Sequence, residues 1–332
     1  VRINHINVEL EEFDENKSNV FLVNENSINL SERVNNLKKN LRLDHLNKEE
    51  KESALKICNE FNDIFYLDGD TLTNTDVVEH EIHTSNDTPI RSKMYRYPVS
   101  FNDAVNKQIK TWLKQGIIRH SVSPYNSPLW IVPKKIDASG ERKFRVVTDY
   151  RMLNAVTVGD AYPLPSINEI LDGLGHSKYF SVLDLASGFN QIKMSEKDIP
   201  KTAFSTPNGH YEYTRMPFGL KTAPSTFQRM INTVLMGLTG FQCFAYMDDI
   251  VVYANSINDH NEKLRSIFSR LRLNNLLLQP DKCEFMRKEV TYLGHVISDK
   301  GVSPNPEKIK AVIEYPVPKN AKQIKQFLGL IG

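Results

Sequence analysis

Residues 241–254 of the 332-residue sequence read FQCFAYMDDIVVYA, two apolar runs joined by adjacent aspartates. The runs Phe241–Ala245 and Ile250–Tyr253 have the length and composition of β-strands, so the stretch predicts a tight hairpin with carboxylates at its tip. Two like charges about 4 Å apart repel by about 4 kcal/mol at an effective dielectric near 20. A divalent cation at Asp248 and Asp249 would offset this cost, whereas an ordinary hairpin turn is the simpler interpretation.

A second acidic residue lies in another apolar run. The segment FSVLDL, residues 180–185, carries a single charge, at Asp184. A charge inside a strand is costly unless it is paired, metal-bound or at the strand's end. If this strand is a neighbour of the hairpin, Asp184 converges with Asp248 and Asp249. Oxygen ligands with no His or Cys nearby in sequence favour Mg²⁺ or Mn²⁺ over zinc, and two such ions can promote an in-line phosphoryl displacement.

The charge of the chain is unevenly distributed. The formal net charge is +2, from 42 Lys+Arg and 40 Asp+Glu. Residues 1–88 contain 9 Lys+Arg and 19 Asp+Glu, a net charge of −10, whereas residues 89–332 contain 33 and 21, a net charge of +12. A basic body is expected of a protein with a polyanionic partner, although surplus Lys and Arg also keep proteins soluble.

Composition excludes several protein classes. The three cysteines, Cys58, Cys243 and Cys283, are too few and too far apart for a disulfide scaffold or a four-cysteine zinc motif, which indicates a reducing compartment. No apolar run approaches the roughly 20 residues of a membrane helix, so we expect no membrane partner. The sequence lacks an initiator Met and ends abruptly, which leads us to expect a piece of a longer polypeptide.

Before residue 89, one helix and one strand are predicted. Residues 1–46 show no sustained apolar period and are expected to be a loosely ordered connector. Residues 47–66 have helical spacing, with Asn47 as a cap and Glu50 three residues later. Val78 to Ile82 alternates like a short strand. His80 and His83 would lie on opposite faces of that strand, so we expect structural surface histidines and not zinc ligands.

From residue 100 onward, strands and helices alternate in an order that fits an α+β sheet with helices on one face. Residues 129–132 and 144–147 predict a hairpin around a turn at residues 137–140. Residues 290–297 read as one further strand. We therefore expect an α+β fold.

Five motifs resemble those of reverse transcriptases in order and spacing, and more narrowly those of the Pol polyprotein of Gypsy-type long-terminal-repeat retrotransposons of insects. The resemblance covers the chain from about Phe61 to the end. The motifs are DYRMLN (149–154), LDLASGFNQI (183–192), MPFGLKTAPSTFQ (216–228), YMDD (246–249) and YLGH (292–295).

The resemblance implies a right-hand polymerase whose palm is a split βαβ, ferredoxin-like sheet. It divides the chain into an acidic N-terminal extension (residues 1–88), fingers and palm (89–298), and a truncated start of the thumb or connection (299–332). The implied function is RNA-directed and DNA-directed DNA synthesis in retrotransposon replication. A catalytically inactive nucleic-acid-binding fragment of the same polyprotein is the alternative, and a Mg²⁺-dependent nuclease is a third.

Catalytic and metal-binding roles also follow from the resemblance. Asp184, Asp248 and Asp249 match the catalytic aspartates, and with the Leu185 carbonyl they would hold two Mg²⁺ or Mn²⁺ ions. Lys282 resembles a lysine that protonates the leaving pyrophosphate, and an ordinary turn lysine is its alternative interpretation.

Nucleotide-binding roles fall on five further side chains. Phe189 matches the steric gate that excludes a 2′-hydroxyl, with a core aromatic as the alternative. Arg145 falls where the family holds the triphosphate, and the guanidinium donors suit phosphate oxygens. Lys134 or Lys135 would add a contact, unless both form a solvated hairpin rim. Phe218 lies in the same region, at a position that is Gln in many retroviral relatives.

Template and primer contacts complete the implied site. Asp149 and Arg151 match a template-contacting cluster, for which an internal ion pair is an equal alternative. Gln228 resembles a residue that faces template and primer. The primer grip, which seats the primer 3′ end, is matched by Tyr292, Leu293, Gly294 and His295.

The implied partners are an RNA or DNA template with its primer, deoxynucleoside triphosphates and other Pol segments. The implied location is intracellular, in a cytoplasmic virus-like particle with nuclear access.

Overall fold

The computed structural model describes residues 30–133, 144–175 and 177–331. Its helices are α1 (Leu30–Asn40), α2 (Lys48–Glu60), α3 (Asn102–Lys114), α4 (Arg151–Val156), α5 (Ile167–Leu174), α6 (Ala223–Val234), α7 (Ile257–Leu273), α8 (Pro306–Ile313) and α9 (Ala321–Ile331). Its strands are β1 (Thr75–His80), β2 (Ile118–His120), β3 (Leu129–Pro133), β4 (Phe144–Thr148), β5 (Tyr179–Asp184), β6 (Ile192–Met194), β7 (Phe204–Thr206), β8 (Gly209–Tyr213), β9 (Cys243–Tyr246), β10 (Asp249–Ala254), β11 (Glu284–Arg287), β12 (Glu289–Tyr292), β13 (His295–Ser298) and β14 (Gly301–Pro304). Within these ranges no helix combines the length and apolarity needed to cross a membrane.

The central sheet has four antiparallel strands in the order β11–β5–β10–β9. Side chains alternate between its two faces, as strand geometry requires. Leu183, Ile250 and Val252 lie in one buried cluster with residues of α2, α6 and α7. Phe180 and Val251 lie in another with residues of α5 and of β12 and β13. The α+β class is confirmed, but the expectation of helices on one face alone is wrong, because α5 covers the second face.

A two-stranded hairpin and a three-stranded sheet lie outside the central sheet. In the hairpin, β3 pairs with β4 so that Leu129 is opposite Thr148, which confirms the predicted hairpin. The predicted turn at residues 137–140 lies outside the described residues. The three-stranded sheet has the order β2–β8–β7, and Phe204 and Tyr213 from this sheet are buried with Ile109 of α3.

Residues 30–46 differ from the prediction of a loosely ordered connector. Leu37, at the buried face of α1, is fully inaccessible, and Leu41 and Leu43 are buried in the same cluster as the central sheet. A short and mostly polar helix of this kind gains its stability from packing and not from intrinsic propensity, which is why the pattern was inconspicuous. The connector prediction is therefore wrong for residues 30–46, and residues 1–29 lie outside the described ones.

Helix α2 begins as predicted. The Asn47 side chain accepts a hydrogen bond from the Glu50 amide at 2.9 Å, and the Glu50 carboxylate accepts one from the Asn47 amide at 3.2 Å, a complete capping box. The helix ends at Glu60, and a 3₁₀ turn at Asn62–Ile64 continues toward the central sheet.

Strand β1 pairs in parallel with β6 and carries His80 into the interior. His80 is fully buried, with Nδ1 2.9 Å from Thr226 Oγ1, and burial lowers its pKa to about 4. His83 is exposed, and its Nε2 lies 3.1 Å from the Glu81 carboxylate. The predicted surface position is therefore right for His83 and wrong for His80.

The predicted single strand over residues 290–297 is a hairpin. Tyr292 pairs with His295, and Leu293 and Gly294 form the two-residue turn with φ of 48° and 77°. Because Leu rarely adopts positive φ, its presence at this position concealed the turn in the sequence. Strand β14 extends the hairpin to three strands by pairing with β13, so the boundary proposed between residues 298 and 299 falls inside this small sheet.

Candidate active site

The turn between β9 and β10 places two carboxylates at one end of the central sheet. Tyr246 pairs with Asp249, which leaves Met247 and Asp248 as the two residues of the turn. Met247 has a φ of 54°, a backbone conformation that is uncommon for residues other than Gly. Its amide donates a hydrogen bond to Gln228 Oε1 at 2.8 Å. The predicted hairpin is present, and a side chain from α6 supports its turn.

The third aspartate lies directly opposite. The antiparallel register of β5 and β10 pairs Asp184 with Asp249, at the last residue of one strand and the first of the other. The Asp184 carboxylate accepts hydrogen bonds from Lys282 Nζ, at 3.0 Å to Oδ1 and 3.3 Å to Oδ2. The predicted convergence of the two acidic segments is therefore a property of the sheet register.

Asp184, Asp248 and Asp249 form an acidic corner of the central sheet, with too little positive charge nearby to neutralise it. Burial raises the pKa of Asp249 to about 6, and the charges of Asp248 and Asp184 add to the effect. Burial also raises the pKa of Asp184, with Lys282 opposing and Asp248 reinforcing the shift. A cation delivered from outside the chain would lower the free energy of this corner.

The donors present fit a hard divalent cation. Three carboxylates supply the oxygen ligands that Mg²⁺ and Mn²⁺ prefer. The backbone bridge beside them uses the Ala186 amide and the Asp184 carbonyl, so neither of its bonds involves the Leu185 carbonyl oxygen. Among the described residues, no set of three or more His, Cys, Asp or Glu side chains is gathered closely enough to hold a metal ion. The three carboxylates would therefore have to come closer together to share a cation.

Phe189 lies beside this corner, in a 3₁₀ turn that follows β5. It is 9% exposed, and its ring contacts those of Phe218 and Phe227 at centroid distances of 4.7 and 5.2 Å. Phe218 is 48% exposed. The two rings thus form an apolar surface that is buried at Phe189 and open at Phe218. The alternatives of steric gate and core aromatic are both compatible with this position.

Three cationic residues were predicted to bind phosphate, and the structure describes one of them, Arg145. Arg145 is exposed on β4, in the position opposite Val132. Lys134 and Lys135 lie outside the described residues. The phosphate-binding roles of all three stay predictions.

Asp149 and Arg151 form the internal ion pair that was one of two alternatives. Arg151 donates to the Asp149 carboxylate from Nε and Nη2, with the shortest bond at 2.6 Å, and this pairing lowers the pKa of Asp149 to about 2. Tyr95, which the motifs did not single out, adds a hydroxyl bond to the same carboxylate at 2.9 Å. The contact spans 54 residues, and no local sequence signal indicates it.

Two residues that were predicted to contact template or primer have buried side chains. Gln228 is fully buried and its amide bonds to the β9–β10 hairpin, so the prediction of a direct template contact is wrong. Tyr292 is 2% exposed, and its hydroxyl donates to the Asp249 carbonyl at 3.1 Å. Burial raises its pKa, which keeps the phenol protonated as that donor. Leu293, Gly294 and His295 are partly exposed at the hairpin turn, where contact with a primer stays a prediction.

This four-stranded antiparallel sheet, with carboxylates at the facing ends of its two inner strands, defines the palm of a right-hand polymerase. The chain belongs to the reverse transcriptase (RNA-dependent DNA polymerase) family, whose model matches residues 132–297. This confirms the resemblance seen in the sequence.

Known relatives and solved structures agree with this placement. The chain is 49% identical to the "Retrovirus-related Pol polyprotein from transposon 297" of Drosophila melanogaster, over 88% of this chain and 28% of the relative. It is 41% identical to the corresponding polyprotein from transposon gypsy of the same species, over 80% of this chain and 26% of the relative. The chain thus spans about a quarter of these curated relatives.

A solved structure of the foamy viral protease-reverse transcriptase in complex with dsDNA has a TM-score of 0.79 at 26% identity. The match covers 90% of this chain and 61% of that chain. The right-hand polymerase fold is therefore confirmed.

Proposed function

We propose that the chain is the polymerase segment of an LTR retrotransposon Pol polyprotein and catalyses RNA-directed and DNA-directed DNA synthesis. One observation carries the proposal: the register of β5 and β10 sets Asp184 opposite Asp249, with Asp248 in the adjoining turn. The raised pKa of Asp249 supports it, because uncompensated carboxylates at a sheet end are costly unless a cation completes them.

In the proposed reaction the primer 3′-hydroxyl attacks the α-phosphate of a deoxynucleoside triphosphate, and pyrophosphate leaves. Asp184, Asp248 and Asp249, with the Leu185 carbonyl, would hold two Mg²⁺ or Mn²⁺ ions. These ions would activate the attacking oxygen and stabilise charge on the leaving group. Lys282, whose Nζ lies 3.0 Å from Asp184 Oδ1, would donate a proton to the leaving pyrophosphate.

The remaining side chains bind and select the substrates. Arg145 on the exposed face of β4 would contact the triphosphate, together with Lys134 or Lys135. Phe189, backed by Phe227 at 5.2 Å, would exclude a 2′-hydroxyl because its ring cannot retreat. Phe218 would pack near the nucleotide.

The proposed partners are a template with its primer and other segments of the polyprotein. Two observations support this: the relatives are polyproteins, and the foamy viral neighbours were solved with an RNA/DNA hybrid and with dsDNA. We place the activity inside the cell, in the particles in which such an element would copy its RNA.

Primer extension on a homopolymer template tests the proposal. We expect Mg²⁺-dependent incorporation of deoxynucleotides, and no incorporation of ribonucleotides. Asp248→Asn should lower kcat by at least about 10³-fold, because electrostatic stabilisation is lost where negative charge develops. Asp172→Asn on the exposed side of α5 is a matched control that should leave kcat unchanged.

Binding of the template-primer, measured by fluorescence anisotropy, separates the alternatives. Asp248→Asn should retain it within about threefold, since its effect is confined to the chemical step. Tight binding by the wild type without extension would contradict the proposal and favour an inactive nucleic-acid-binding fragment.

A further inference from the structure

The Gln228 side chain, fully buried in α6, makes three hydrogen bonds, and two of them go to the β9–β10 hairpin that carries Asp248. Its Oε1 accepts from the Met247 amide at 2.8 Å, and its Nε2 donates to the Ala245 carbonyl at 3.2 Å. Nε2 also donates to Asn232 Oδ1 at 2.9 Å. One side chain therefore binds both the turn and the strand that leads into it.

The turn needs such support. Met247 has a positive φ, which costs free energy for a residue with a side chain and persists only where the surroundings impose it. Met247 and Asp248 also lie beyond the last β9–β10 pair, between Tyr246 and Asp249, so the ladder does not hold their amides. Without Gln228 Oε1, the Met247 amide would lose its bond beside a mutually repelling set of carboxylates.

Neighbouring residues fix the orientation of the Gln228 amide. Both acceptors near Nε2 are oxygens, so the amide cannot be flipped without opposing oxygen to oxygen. Asn232 is itself held, because its Nδ2 donates to the Tyr162 hydroxyl at 2.9 Å. The Arg229 guanidinium covers the Tyr162 ring at 4.7 Å, and its Nη2 donates to both carboxylate oxygens of Asp160, at 2.8 and 2.9 Å. A continuous polar chain thus runs from the segment before α5 to the catalytic turn.

We infer that Gln228 is a positioning residue of the polymerase site: it holds Met247 in its left-handed conformation and thereby sets where the Asp248 carboxylate points. The inference rests on the proposed function for its kinetic consequence. It replaces the template contact expected from the motif with a role inside the protein.

Gln228→Met tests this, because Met has a similar length and removes every polar contact of the amide. We expect kcat to fall by about 10- to 100-fold, the range typical of a misplaced catalytic group. KM for template-primer and deoxynucleotide should change by less than about threefold, since the Gln228 side chain is fully buried.

The matched control is Thr226→Val on the same helix. It also deletes a buried hydrogen bond, the 2.9 Å contact to His80, and that bond goes to β1 and not to the turn. We expect a similar loss of thermal stability and a kcat within about twofold of wild type. Equal losses of kcat in the two variants would overturn the inference, as would an unchanged kcat in Gln228→Met.

Two measurements do not depend on turnover. Hydrogen exchange of the peptide that contains Met247 should accelerate in Gln228→Met and not in Thr226→Val, because only the first variant frees that amide. Mn²⁺ affinity, measured by electron paramagnetic resonance of the protein without nucleic acid, should fall only in Gln228→Met. Unchanged exchange and unchanged affinity would contradict positioning.

A milder substitution keeps the inference testable if Gln228→Met does not fold. Asn232→Ala leaves Gln228 in place and removes one of the oxygens that orient it, so kcat should fall by less than in Gln228→Met, by about two- to tenfold. If the wild type extends no primer, the proposed function fails. Met247 exchange and Mn²⁺ affinity would still decide whether Gln228 holds the turn.

Discussion

Two aspartates, one after the β3–β4 hairpin and one in the central sheet, are shifted in opposite directions. The pKa of Asp149 falls to about 2, mainly because Arg151 donates to its carboxylate. The pKa of Asp249 rises to about 6, mainly because of burial and then because Asp248 and Asp184 carry the same charge. The first carboxylate has its counter-ion two residues along its own chain, and the second has like charges for neighbours.

The difference separates a charge that the chain itself neutralises from a charge that it leaves without a counter-ion. A carboxylate that its own chain neutralises stabilises the fold and offers little to a ligand. A set of carboxylates that the chain leaves under-neutralised costs stability and creates affinity for a cation. Lys282 only partly relieves this, since it contacts Asp184 and is itself 56% exposed.

Adding Mg²⁺ should produce the largest effect, because it supplies the missing charge. At 10 mM Mg²⁺ and a Kd near 1 mM, the native state would gain about 1.4 kcal/mol, or a Tm increase of about 3 °C. Differential scanning fluorimetry in Mg²⁺ and in EDTA, at matched ionic strength, measures the shift.

Two variants show which carboxylates are responsible for the Tm increase in Mg²⁺. Asp248→Asn should abolish it, whereas Asp149→Asn should retain it in full. An equal response of the two variants would mean that Mg²⁺ acts on the general charge of the protein and not on the palm carboxylates.

Asp249→Asn should stabilise the protein in EDTA. A pKa raised from 3.8 to about 6 means that ionising this group opposes folding above pH 6. The full shift would correspond to about 3 kcal/mol, and partial exposure reduces our expectation to about 1 kcal/mol. Urea unfolding at pH 7.5 measures the difference.

The control is Asp259→Asn on α7, whose carboxylate is 46% exposed and pairs with Lys263. It should be neutral or slightly destabilising, because it loses an ion pair and relieves no repulsion. A destabilised Asp249→Asn variant would show that the palm carboxylates are already neutralised within the chain.

The convergence of Asp184, Asp248 and Asp249 could be predicted from local sequence pattern. Apolar runs on both sides of Asp248 and Asp249 indicate a hairpin, and the lone charge in residues 180–185 indicates a strand end. Once those two elements are neighbours, the sheet register brings the aspartates together. The right-hand fold could be predicted only from the family motifs, because the spacing of apolar residues predicts helices and strands but not the order of strands in a sheet.

Tertiary contacts account for what could not be predicted. The hydrogen bond from the Met247 amide to Gln228 joins residues 19 positions apart, whereas the family resemblance implies that this glutamine faces template and primer. The turn at Leu293 and Gly294 lacks the Asn-Gly or Asp-Gly signature of two-residue hairpins. Helix α1 has few apolar side chains, so its burial through Leu37 depends on a core built from distant residues.

Asp149→Asn should have the smallest effect, because Arg151 is exposed and solvent screens the pair. With the native pKa about 2 and the usual value 3.8, the unfolded state binds the proton more readily. The pair therefore stabilises the protein above about pH 4, and that stability is lost as the pH falls toward 2. Wild type should exceed Asp149→Asn in Tm by at most about 2 °C at pH 5, and the two should converge at pH 2. Tm profiles that stay parallel over this range would show that Arg151 does not govern the Asp149 carboxylate in solution.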